Sequence, residues 1–84
     1  MSDIEAEEAL LAYLRREATR KPGLGYSDRL LAREIGGSDV DAARASHRLH
    51  QRGLVVRYDT VMDDRPFGGR SPSVCTRLAA PEAT

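Results

Sequence analysis

The sequence predicts a mainly α domain with a small β-hairpin, a three-helix bundle followed by a two- or three-stranded wing. Three observations carry this. The run Leu31-Ala32-Arg33-Glu34-Ile35-Gly36-Gly37-Ser38 joins two short amphipathic segments through a glycine turn. An arginine-studded segment follows and stops at Gly53. Beyond it, two stretches of alternating apolar and polar residues flank a Gly/Pro-rich tip, the pattern of a hairpin.

Each element has its own signal. Ser2 with Glu5 three residues on resembles a capping box and opens helix 1, expected over about residues 3–19. Ala6, Ala9, Leu10, Tyr13, Leu14 and Ala18 form its apolar stripe, with Leu11 on the flank. Pro22, Gly23 and Gly25 end it, and Tyr26 suits a very short strand. Ser27 is the natural N-cap of helix 2, which runs to about Gly36 and buries Leu30, Leu31 and Ile35. Ser38 caps helix 3, expected from Asp39 to Arg52, whose inward face is Ala42, Ala45, Ser46 and Leu49. The helix-turn-helix thus occupies about residues 27–52 and the hairpin about 54–78. Asp63 to Pro72 is turn chemistry, and the tail 79–84 is expected to fray.

A chain of 84 residues is one domain, 1–84, with little room for an enclosed active site. Its 40% apolar and 31% charged residues suit a folded globule rather than a disordered segment. No apolar run approaches the roughly 20 residues needed to span a bilayer. The acidic start, Met1 to Glu5, is unlike a secretory leader, and a lone Cys75 cannot close an internal disulfide. These features predict a cytoplasmic protein.

Thirteen basic and thirteen acidic residues cancel, which excludes a uniformly basic nucleic-acid binder. The distribution is uneven. Residues 1–18 carry five carboxylates against Arg15 and Arg16, a net of −3, so the remainder carries +3. Every basic residue except Lys21 is an arginine, the side chain suited to bidentate phosphate or guanine contacts.

The residues Leu31-Ala32, Ile35-Gly36, Ser38, Arg44-Ala45, Leu49 and Arg52-Gly53-Leu54-Val55 resemble those of bacterial winged helix-turn-helix regulators. Arg57, Asp64-Arg65 and Arg77-Leu78 are similar to the wing of the MarR-type family. The resemblance covers about Ser27 to Leu78 and implies sequence-specific duplex DNA binding in transcription regulation. Helix 3 would then enter the major groove and the wing the minor groove. Three departures stand out. Gly37 replaces an aliphatic turn residue, and Ala42 and Ser46 replace bulkier inward residues, so the helices either pack closer or leave a looser core. The long flanking helices through which MarR-type proteins dimerise are missing. A homodimer is therefore expected to use helix 1, the tail or the wing.

The expected DNA-binding residues are Arg29, Asp41, Ala43, Arg44, His47, Arg48, Arg65 and Arg70. Arg44, His47 and Arg48 share the outward face of helix 3 with Gln51 and Arg52, and either Arg44 or Arg48 suits guanine O6 and N7. Asp39 and Asp41 are open to two readings. They cap the helix dipole, where they would repel phosphates, or Asp41 accepts from a cytosine amine. Arg65 and Arg70 flank the wing tip, and a narrow minor groove attracts arginine. Arg29 is placed to hold a phosphate, with Arg20 and Lys21 as weaker candidates.

Other chemistry is not supported. His47 and His50 lack the third and fourth ligands that zinc needs, so no metal or cofactor is expected. Cys75 reads as a small apolar core residue. Gly68-Gly69-Arg70-Ser71 lacks the spacing and lysine of a phosphate loop, and no nucleophile and base have an orienting partner. The chain reads as a non-enzyme. A second reading, a winged helix used as a protein-protein interaction module, draws on the neutral charge and on Asp39 and Asp41. RNA in place of DNA is a third.

Overall fold

The computed structural model describes residues 2–63 and 70–79, with backbone alone at 62, 63 and 70–72. The elements are α1 (Asp3–Arg20), β1 (Tyr26–Ser27), α2 (Asp28–Ile35), α3 (Asp39–Gln51), β2 (Val55–Asp63) and β3 (Arg70–Leu78). They form an α+β domain in which three helices pack against an antiparallel sheet of order β1-β3-β2. No helix among the described residues is long and apolar enough to cross a membrane.

Serines start all three helices. Ser2 Oγ accepts from the Glu5 N–H at 3.2 Å and Ser27 Oγ from the Leu30 N–H at 3.3 Å. Ser38 completes a reciprocal box. Its Oγ accepts from the Asp41 N–H at 3.1 Å, and the Asp41 carboxylate accepts from the Ser38 N–H at 2.9 Å. Gly36 and Gly53 end α2 and α3 with φ of 76° and 75°, a left-handed backbone that any Cβ would strain. The next N–H in each case reaches back five residues, Gly37 to the Ala32 carbonyl at 2.9 Å and Leu54 to the Leu49 carbonyl at 3.0 Å. Two abrupt turns follow, one leading into α3 and one into the hairpin.

The core gathers Ala6, Leu10 and Leu14 of α1, Leu31, Ala32 and Ile35 of α2, Ala42, Ala45 and Leu49 of α3, and Val55 of β2. The small residues of α3 are enclosed in the core, as expected of its inward face. In α1 the stripe departs from expectation. Glu17 is buried while Ala9, Tyr13 and Ala18 are half-buried. Arg20 at 3.4 Å and Arg16 at 4.0 Å offset the Glu17 carboxylate.

Ser46 is also enclosed, and its hydroxyl has no hydrogen-bond partner among the described residues. A buried unsatisfied hydroxyl costs about 1–3 kcal/mol. Ser46→Ala is therefore expected to raise stability by about 1 kcal/mol, read as a higher denaturation midpoint in urea. A lower midpoint would mean that the hydroxyl is bonded.

The hairpin is longer than its turn chemistry suggested. Asp63, Arg70, Ser71 and Pro72 belong to strands, with Asp63 opposite Arg70 and Val61 opposite Pro72. The turn through Pro72 is shorter than expected, while the expectation that this stretch is no central strand holds at Pro72 for a topological reason. β1 pairs with β3 only at Cys75 and Thr76, so at Pro72 β3 has a neighbour on one side. A proline without an N–H is tolerated at such an edge. Residues 64–69 and the tail 80–84 lie outside the described residues, while the Ala79 N–H still donates to the Leu54 carbonyl at 3.1 Å.

Candidate nucleic-acid interface

The outward line of α3 is Val40, Arg44, His47 and Gln51, spaced by four, three and four residues and all exposed. Ala43 is half-buried beside this line. Arg48 and Arg52 are not on it, contrary to the outward face expected from sequence. Arg48 bonds Asp3 at 2.7 Å and Arg52 reaches Glu7 at 3.5 Å, so both arginines turn along α1. The acidic start of the chain thus neutralises one flank of α3. With both Arg48 and Asp3 more than 40% exposed, this pair holds weakly and a competing anion can replace it.

Arg44 is in no ion pair among the described residues. The same holds for Arg29 and Arg33, which lie one turn apart on the exposed side of α2. Arg33 was not anticipated. Its signal was present in the spacing of four from Arg29, since two like charges so placed repel and gain from a shared anion. Both arginines border a hollow of about 490 Å³ that also touches Ser27, Gly37 and Asp39. Arg20, a weaker phosphate candidate, is instead committed to Glu17; Lys21 is exposed.

Asp41 is taken up by the cap of α3. The Ser38 backbone N–H, then its hydroxyl, bonds the carboxylate and holds it below its ordinary value of 3.8. A depressed carboxylate stabilises the fold above its unfolded value and loses that contribution as pH falls through the lower folded value. The domain should therefore lose stability as pH falls below about 4, and Asp41→Asn should blunt that loss. Thermal melts of both proteins at pH 7 and pH 3 check this. Equal acid sensitivity would show that the cap does not titrate.

The base of the hairpin is fixed by an interaction that the sequence did not disclose. Arg57 on β2 donates to both carboxylate oxygens of Asp28, at 3.2 and 3.0 Å, and to Thr76 Oγ1 at 3.4 Å. This fork ties β2 and β3 to the first turn of α2. His50 Nδ1 lies 3.2 Å from the Val55 carbonyl, so Nδ1 carries the proton and donates. His47 instead points outward, and among the described residues no group of three or more His, Cys, Asp and Glu is placed to hold a metal. Cys75 is buried, and its burial, with Asp28 nearby, pushes the thiol up, away from the reactive thiolate. Arg65 lies outside the described residues; Arg70 opens β3, but its side chain is likewise outside them.

The structure therefore brings Arg29, Arg33, Arg44 and His47 to the helix pair, and sets Arg48 and Asp41 to structural contacts. No family model matches the chain, and no curated protein or solved structure matches it.

Proposed function

We propose that the protein binds duplex DNA as a winged helix-turn-helix, in transcription regulation or a related DNA transaction. One observation carries the reading. Arg29, Arg33 and Arg44 form no ion pair among the described residues, whereas Arg16, Arg20, Arg48, Arg52 and Arg57 each form one. In this reading α3 lies in the major groove, Arg44 contacts guanine, and the exposed Val40 one turn before it meets a thymine methyl. Arg29 and Arg33 hold the phosphates that set the docking angle. Arg65 and Arg70 serve the minor groove. No catalytic step is assigned.

Fluorescence anisotropy with mixed-sequence duplexes, titrated with salt, tests this. Arg44→Ala is expected to weaken the preferred site by about 1–3 kcal/mol and relax preference at one base. Arg29→Ala and Arg33→Ala should act evenly across sequences and each lower the salt slope by about one unit. A wild type without salt-dependent affinity for any duplex would end the proposal. A protein partner would then take precedence, favoured by Val61 and Val74, which expose 59% and 37% of their surface on the hairpin.

A further inference from the structure

One flank of α1 carries an apolar line that the described chain covers only in part, Leu11 and Ala18 being half-buried. Ile4, Leu11 and Ala18 are seven residues apart and fall along one side of the helix. Ile4 projects, with 68% of its surface exposed. At the other end Ala18 lines a hollow of about 650 Å³, together with Leu11, Leu54 and Leu78, and with Arg15 and Arg77 at its margin. A knob and a hole thus sit at the two ends of one helix face. Beside the line run Glu8 and Arg15, also seven apart and both exposed. Neither has an ion-pair partner among the described residues.

We infer that this face is a two-fold interface in which α1 packs antiparallel on α1 of a second copy, with Leu11 at the axis. The spacing selects that partner. Ile4 and Ala18 each lie seven residues from Leu11, so rotation sets Ile4 over the partner's Ala18 and into its hollow. Glu8 precedes Leu11 by three residues and Arg15 follows it by four. At a rise of 1.5 Å per residue, Glu8 and the partner's Arg15 are offset by only about 1.5 Å along the axis. A parallel arrangement would place Glu8 and Arg15 across the seam from the opposite flank of the partner, where they do not meet each other, and would leave the hollow unfilled. Charge and shape both choose the antiparallel pair, and the same contact is made twice.

Sedimentation equilibrium in the absence of nucleic acid tests the interface, so its outcome is separate from that of the DNA reading. The full chain is expected to reach twice the mass of one chain with rising concentration. Leu11→Glu should raise the dimer dissociation constant by roughly 30-fold or more, as for a central contact of an interface. Glu8→Arg and Arg15→Glu should each weaken the dimer. Mixed together they should form a heterodimer, because each then meets its opposite charge. Both sites are exposed, so helix content by circular dichroism should stay unchanged. A monomeric wild type at all concentrations would overturn the proposal, as would a mixture that gains nothing over the single variants. Wild type that dimerises only after removal of residues 80–84 would also overturn it, by giving the hollow to the chain's own tail.

Discussion

Leu49→Ala should unfold the domain at a temperature roughly 10–30 °C lower, from a loss of about 2–5 kcal/mol. Leu49 is fully buried in the last turns of α3, and its backbone carbonyl also receives the Leu54 N–H that closes the helix. Its neighbours in the core come from all three helices and from Val55. Truncation therefore leaves a cavity at the point where helices and hairpin meet. Neighbouring side chains on α3 cannot fill it, because Ala42, Ala45 and Ser46 are small and already enclosed. A chain of 84 residues has a total stability of only about 4–13 kcal/mol, so the loss is a large share. His47→Ala, two positions away and exposed, should change stability by no more than about 0.5 kcal/mol. Thermal melts followed by circular dichroism compare the two. Equal melting temperatures for wild type and Leu49→Ala would reverse the assignment of the inward face.

Arg57→Met should cost about 1–3 kcal/mol, the next largest effect. The guanidinium and the Asp28 carboxylate are 18% and 24% exposed, so removing Arg57 strands a carboxylate with little water to replace two charge-assisted bonds. Methionine keeps most of the aliphatic stem, which confines the loss to the charge. Asp28→Asn should be milder, since its amide oxygen still accepts one bond. The double variant should lose less than the sum of the two, because the second change removes an interaction already broken. Urea denaturation of the four proteins measures that coupling. Additive losses would mean that the fork contributes nothing. If DNA is the ligand, Arg57→Met should also weaken binding, by freeing the hairpin from the helix pair.

Much of the fold is legible in the sequence because its signals are local. Ser2, Ser27 and Ser38 each mark a helix start, since a serine oxygen bonds the N–H three residues on and needs no distant partner. Gly36 and Gly53 mark the ends for an equally local reason, the left-handed backbone. Helical spacing placed Ala42, Ala45, Ser46 and Leu49 inward, and the structure has them there. The candidate site is less legible. Periodicity put Arg44, His47, Arg48 and Arg52 on one outward face, but a wheel does not show which flank a neighbouring helix occupies. Packing of α1 beside α3 set Asp3 and Glu7 against Arg48 and Arg52, across 45 residues in each pair. Asp28 and Arg57, 29 residues apart, met only when β2 came beside the start of α2. By itself the sequence determined the helices and their caps, since each rests on contacts within about five residues. It marked the hairpin by alternation, but not its extent, which rests on pairs up to 23 residues apart such as Val55 with Leu78. Only the tertiary structure decided which arginines form an ion pair among the described residues and which do not, because ion pairing depends on distances that chain separation does not encode.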